Sequence, residues 1–278
     1  MDPVFSFQKN YLYTEDSIIV SKETNLNQFK QRVIDLEFLL KDTNVKKLHI
    51  YENFEIDNET IAIFAIENNP FGKSIVYHSN LGVFFVDQTT KQLINKYKDH
   101  HNWHGFMISR TFSRIFKLSG HLPIVDGVNI YLPLSGSKSR CPDWVGLHQL
   151  SSYQEKDGQA EFITKDGEVF RMAFSGHNLR AIIHKACFIS ECHVELYRKN
   201  INSFATIVLK ADRIGISQSF RDCRCRLHLH LQRIDKLSWD FWIEYFSLTL
   251  RAITDEIEPD QDRAVKLKFS QFNKKRRI

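Results

Sequence analysis

The chain has 278 residues, 42% of them hydrophobic and 26% charged, with 22 Phe, 9 Tyr and 4 Trp. That length admits one large domain or two modest ones, each with a real core, and the composition excludes an intrinsically disordered polypeptide. The net charge of +5 is unevenly placed: residues 1–60 hold −4, residues 61–200 hold +4 and residues 201–278 hold +5, so a polyanionic partner is expected to meet the C-terminal two-thirds.

No run of about 18 uncharged apolar residues occurs, so no membrane span is expected. Residues 1–10 lack a basic segment leading into an apolar one, so no signal peptide is expected. Both point to a cytoplasmic chain. The five cysteines, Cys141, Cys187, Cys192, Cys223 and Cys225, are then expected as reduced thiols.

In chain order, Leu26, Phe29, Val33, Leu36 and Leu40 recur at helical spacing and predict a helix over 24–43, capped by Thr24 or Asn25. From Tyr51 the pattern turns to short apolar runs broken by turn residues. Strands are expected at 60–66, 75–77 and 81–86, with a turn at 68–72, followed by a short helix over 88–97. Residues 107–118 are apolar with basic interruptions at Arg110, Arg114 and Lys117. A short strand is expected at 129–132, and a hairpin at 161–164 and 169–174 around Asp166-Gly167. Leu179, Ile182, Ile183, Ala186 and Ile189 predict a helix over 179–189. Beyond it, strands are expected at 204–210 and at 221–233, the latter from strict alternation, then a helix over 238–257. The chain closes on the basic run Lys274-Lys275-Arg276-Arg277.

These elements predict an α+β fold, mainly an antiparallel β core with a few packed helices. Residues 1–50 read as an N-terminal helical extension, 51–200 as the core, and 201–278 as a basic strand–helix segment.

Signatures of catalysis are weak. Gly72-Lys73-Ser74 is not a phosphate loop, because Glu67 stands where that loop needs Gly and would repel phosphate. Ser135-Gly136-Ser137 is not a nucleophile elbow, and the carboxylates form no acid–base pair. His100, His101 and His104 flank Trp103 without an evident third ligand and read as a polar loop. Cys187, Cys192 and His193 read as structural rather than redox groups. Cys223, Cys225, His228 and His230 have the residue types of a zinc site. On a strand, however, the cysteines would share one face with Leu227, Leu229 and Leu231, while Arg224, Arg226, His228 and His230 shared the other. That alternation predicts no metal site and no cofactor. It predicts instead an outward face of Arg and His spaced to meet phosphates. No catalytic residue is assigned.

Three linked segments carry a more specific pattern. They are Leu118-Ser119-Gly120-His121-Leu122-Pro123-Ile124-Val125-Asp126, Asn129-Ile130-Tyr131-Leu132-Pro133-Leu134-Ser135, and Lys138-Ser139-Arg140-Cys141-Pro142-Asp143-Trp144-Val145. Their order resembles that of the competence transcription factor family (ComK). In that family a His–Pro segment leads to a strand ending in Pro, then to a Ser-rich loop, then to Cys and Trp opening the next strand. The resemblance spans roughly residues 51–190. The family's start is matched at 51–66, and its later half at 162–188. Residues 1–50 look like an addition, and the region after Ser190 does not match.

The resemblance implies a non-enzymatic, cytoplasmic and nucleoid-associated transcriptional activator of DNA-uptake genes. It would bind A·T-rich double-stranded DNA, with the minor groove as the route of readout, as a homodimer or higher oligomer. Turnover through a proteolytic adaptor is a further implication. Minor-groove readout asks only for basic side chains that sense groove width and deformability. Lys138 and Arg140, in the Ser-rich loop, are the first candidates for DNA contact. Arg171, Arg180 and Lys185 on the hairpin and helix follow, then Arg224, Arg226 and His228 on the expected C-terminal strand. Two alternatives remain open: a non-DNA protein-interaction module using Trp239, Trp242 and Phe246, and a metal-dependent enzyme using the His and Cys clusters.

Overall fold

The computed structural model describes residues 33–67, 69–99, 103–135, 141–176, 178–204, 214–233 and 237–253. The fold is α+β, with helices packed on two mostly antiparallel sheets. Strand β1 (Val33–Ile34) runs into two short helices, α1 (Leu36–Leu39) and α2 (Asp42–Val45). Then come β2 (Thr60–Ala65), β3 (Ser74–His78), β4 (Gly82–Val86), α3 (Thr90–Tyr97) and α4 (Trp103–Ile115). Strands β5 (Ile124–Asp126), β6 (Asn129–Pro133), β7 (Trp144–Gly146), β8 (Leu150–Lys156), β9 (Gln159–Thr164) and β10 (Val169–Ala173) complete the sheets. Helices α5 (Leu179–Phe204), α6 (Arg226–Arg233) and α7 (Leu237–Ile253) follow, with a 3-10 turn, Gly215–Phe220, between α5 and α6.

The larger sheet has the order β4-β3-β2-β7-β6-β5, antiparallel throughout. Its central strands read as unbroken apolar runs because both faces are covered. Ile75, Tyr77, Val83 and Phe85 face the second sheet, and the alternate residues Val76, Phe84 and Val86 pack under Leu93, Ile94 and Tyr97 of α3. The second sheet has the order β1-β10-β9-β8, with β1 parallel to β10. Its Phe170 ring lies edge-on to Tyr77 and Phe64 of the larger sheet, at 5.6 and 6.5 Å, which closes the layer between the sheets. Gly72 is held by packing rather than by a ligand. A Cβ there would stand 2.9 Å from the Val86 carbonyl oxygen, and the neighbouring Lys73 pairs with Asp87 at 3.2 Å.

Helix α5 joins the sheets to a third, helical cluster. Leu179, Ile183, Ala186 and Cys187 pack on the sheet core, whereas Phe188, Cys192 and Leu196 face α4, α6 and α7. That second stripe carries the helix well past residue 189, to Phe204. On the other side of the cluster Phe112 stacks near Phe241, with ring centroids 4.9 Å apart.

Several expectations are met. The strand at 60–66, the hairpin at Asp166-Gly167, the short helix before Tyr97 and the C-terminal aromatic helix all form. Others are corrected. Where residues 24–43 are described they are not one helix. Val33 and Ile34 pair with Val169 and Phe170, and Asp35 caps a new helix by accepting from the Phe38 amide at 2.8 Å. The strand expected at 204–210 falls mostly outside the described residues, and Phe204 itself ends α5.

The strand expected at 221–233 is a turn followed by helix α6. The alternating Leu-His-Leu-His-Leu run also satisfies a helical period, since Leu227, His228 and Leu231 share one side. Burial identifies the period that forms: Leu231 and His228 are buried at 8% and 3% exposure, while Leu229, which alternation would bury, is 38% exposed.

Candidate functional site

Because 226–233 is helical, His228 is free to share a side with Cys223 and Cys225. Four side chains converge where α5 meets the start of α6: His184, Cys223, Cys225 and His228, with one ligand atom from each lying within 4.8 Å of all the others. His184 Nε2 is 3.3 Å from Cys223 Sγ and 3.6 Å from Cys225 Sγ. Cys225 Sγ is 3.1 Å from His228 Nδ1. The two imidazole rings stand 5.0 Å apart.

Local structure explains the convergence. On α5, His184, Phe188 and Glu191 recur at i, i+4 and i+7, so they share one face. Cys225 immediately precedes α6, and His228 lies in its first turn. The Leu229 amide donates to the Cys225 carbonyl at 3.0 Å, which fixes cysteine and histidine on the same side. Cys223 is placed by the end of the 3-10 turn, its amide donating to the Phe220 carbonyl at 3.1 Å. That turn is seated by Gly215, whose φ of +58° is left-handed and whose position for a Cβ lies 2.5 Å from the Leu147 carbonyl oxygen. Aromatic rings wall the cluster: Phe220 is 5.0 Å from His184 and Phe188 is 5.2 Å from His228.

The electrostatics are those of a coupled set. His228 Nε2 approaches Glu191 Oε2 at 2.8 Å, a charge contact. Burial works to lower the His228 pKa, but Glu191 and Cys225 outweigh it and hold the imidazole above its usual value. Burial works to raise the Cys225 thiol, and His228 outweighs it and draws the thiol below the ordinary cysteine range. His184 is held low, first by burial and then by the positive charge of His228. Two thiols and two imidazoles at these separations form a donor set suited to a soft or borderline cation.

His148, His193, His78 and His121 have protein partners. His148 Nδ1 accepts from the Ile130 amide at 3.1 Å and its Nε2 faces the Asn58 carbonyl at 3.0 Å. Burial pushes its pKa down to about 4. His193 Nδ1 accepts from the Gly127 amide at 2.8 Å, and burial lowers it likewise to about 4. His78 contacts Asp57, and His121 the Pro133 carbonyl. The Cys192 thiol is raised by burial, the opposite of a reactive cysteine. The side chains of His100, His101 and His104 lie outside the described residues.

The residues expected to contact DNA separate into groups. Lys138 and Arg140 lie outside the described residues. Arg171 is bound to Glu161 at 2.6 Å across β9 and β10, so its charge is answered within the sheet. Lys185 Nζ donates to the Ser119 carbonyl at 3.1 Å. His228 is corrected from a surface contact to a buried member of the Cys/His cluster, because the helix turns it inward. Arg180, Arg224 and Arg226 are exposed, as is Arg221. Arg180 stands one turn ahead of His184 on α5, and the other three lie between and beside the two cysteines. The cluster and the exposed arginines are therefore one locality, with Asp222 the carboxylate within the 221–226 run.

Sequence reasoning missed His184 and Glu191. The Cys223-x-Cys225-x-x-His228 spacing was a usable signal, but nothing in the spacing points 39 residues back along the chain to a ligand on another helix. The aromatic stripe of α7 is largely internal: Phe241, Tyr245 and Leu248 are buried, and Phe246 is 46% exposed. No helix among the described residues is long and apolar enough to cross a membrane. Comparison of the chain with protein-family models, with curated proteins and with solved structures finds no match.

Proposed function

We propose that the chain is a DNA-binding transcriptional regulator of the kind its resemblance to the competence transcription factor family implies. In this reading it activates DNA-uptake genes from A·T-rich sites read through the minor groove. It acts in the cytoplasm at the nucleoid, as a homodimer or higher oligomer, with turnover through a proteolytic adaptor. The observation that carries the reading is the gathering of exposed Arg180, Arg221, Arg224 and Arg226 at one locality. None of the four makes an ion pair among the described residues. A charge-rich surface of this kind neutralises phosphates and releases their counterions. Arginine is also the side chain best suited to a narrow minor groove, where the negative potential is strongest.

The contact surface differs from that expected of a strand. The arginines sit on a turn, on the first residue of a short helix and on the first turn of α5, so the DNA would meet a knob rather than a flat ladder. Lys138 and Arg140 belong to the proposal as the family-matched loop. Arg171 and Lys185 drop to supporting roles, given their partners within the fold.

The test is a titration of an A·T-rich duplex with the full chain over a range of salt concentrations, with a G·C-rich duplex of equal length beside it. The reading requires preference for the A·T-rich duplex and a log–log salt dependence reflecting several neutralised phosphates. Equal and weak binding to both duplexes would remove it.

A further inference from the structure

We propose that His184, Cys223, Cys225 and His228 form a structural zinc site that clips the 3-10 turn and the start of α6 onto α5. The inference stands on geometry and is independent of the DNA-binding reading. A tetrahedral zinc ion with bonds of about 2.3 Å to sulfur and about 2.0 Å to nitrogen separates its ligand atoms by about 3.4–3.8 Å. The three sulfur–nitrogen separations of 3.3, 3.6 and 3.1 Å lie within about 0.4 Å of the tetrahedral sulfur–nitrogen spacing of about 3.5 Å, and all four ligand atoms lie within 4.8 Å of one another. Small movements of the side chains would admit the ion.

The donor set selects the metal. Two sulfurs and two imidazole nitrogens are the Cys2His2 set of closed structural zinc sites, with no position left for water or substrate. His228 faces the set through Nδ1 while its Nε2 stands 2.8 Å from Glu191 Oε2, a carboxylate behind the ring that raises ligand basicity. The charges balance. Two thiols release two protons on binding, both imidazoles coordinate as neutral bases, and the dication with two thiolates makes a first shell of zero net charge. Such a neutral shell sits without penalty beside Phe188 and Phe220, and the neighbouring arginines do not oppose it.

The placement gives the ion a task. Residues 214–233 reach the body of the protein through a short 3-10 turn and an eight-residue helix, elements with little cooperative stability of their own. Two cysteines and a histidine from that segment, tied to a histidine of the long α5, hold it as one bonded unit. The segment carries Arg221, Arg224 and Arg226, so the metal would set the geometry of the proposed basic surface without taking part in it.

The test is the metal content of the full chain, purified without chelator from zinc-supplemented culture, beside that of a C223S/C225S double variant. The expected result is about one zinc per wild-type chain and loss of nearly all of it in the variant. Wild-type protein with less than about a tenth of an equivalent, or a variant that keeps its zinc in full, overturns the proposal. Should the variant fail to fold, cobalt is added to the wild-type chain. Intense visible bands of tetrahedral cobalt with a near-ultraviolet thiolate charge-transfer band support the site, and a weak octahedral spectrum overturns it. Because neither readout involves DNA, loss of this site and loss of the DNA-binding reading are separately visible.

Discussion

His184 and Cys223, 39 residues apart in the chain, meet at 3.3 Å between Nε2 and Sγ. The contact joins helix α5 to the 214–233 segment. Everything proposed for the 214–233 segment, its metal and its arginines, depends on that junction.

The Glu191 carboxylate raises the basicity of His228 in this account, so Glu191→Gln should weaken zinc binding by about 10- to 100-fold. The glutamine keeps the length of the side chain and loses the charge. Competition with a chromophoric chelator measures the affinity, and the far-ultraviolet circular dichroism should remain that of the wild type.

Replacing Arg224 and Arg226 together by alanine should lower the slope of log affinity against log salt by about two, one for each phosphate contact removed. Both side chains are exposed, so thermal stability should change little. An unaltered slope in fluorescence-anisotropy titrations would take these arginines out of the contact.

Gly215 has φ +58°, and a Cβ there would stand 2.5 Å from the Leu147 carbonyl and 2.7 Å from that of His148. Gly215→Ala therefore combines a left-handed backbone with a collision against main chain that cannot swing aside. A loss of about 2–3 kcal/mol is expected in urea unfolding, together with weaker zinc retention, because the 3-10 turn that begins there positions Cys223.

Burial holds His193 near a pKa of about 4 in the folded protein, against about 6.5 when unfolded. The unfolded chain then binds the extra proton between these values. The contribution of neutral His193 is complete above about pH 6.5 and is lost as pH falls toward 4, at about 1.4 kcal/mol per pH unit. His193→Gln, whose side-chain oxygen can still accept from the Gly127 amide, should make stability fall less steeply by that amount over the same window. Chemical denaturation at a series of pH values gives both slopes.

Much of the fold is legible in the sequence because the core strands are decided locally. Thr60 to Ala65, Ser74 to His78 and Gly82 to Val86 are β-rich runs bounded by turn residues, and Asp166-Gly167 announces its hairpin. The failures come where two periods fit the same residues. Leu227, Leu229 and Leu231 alternate with His228 and His230, so a strand satisfies them, yet Leu227 and Leu231 also stand one helical turn apart. The choice was made by a tertiary fact, the presence of α5 with Phe188 and His184 ready to receive Leu231 and His228. Val33 fits the helical stripe of Leu26, Phe29, Leu36 and Leu40 equally well until β10 offers it a parallel edge.

The candidate site was half legible. Cys223, Cys225 and His228 are visible as ligand types, but strand geometry points the cysteines and the histidine apart. His184 and Glu191 carry no local signal, since a histidine and a glutamate on the same face of a long helix are commonplace. Only the packing of α6 against α5 gives them a role.

The convergence of these four side chains on one ion is tested most directly by X-ray absorption at the zinc edge of the purified full chain. The account predicts a first shell of two sulfurs at about 2.3 Å and two nitrogens at about 2.0 Å, with no water. A shell of oxygen and nitrogen alone, or no zinc edge in the zinc-grown protein, would contradict it.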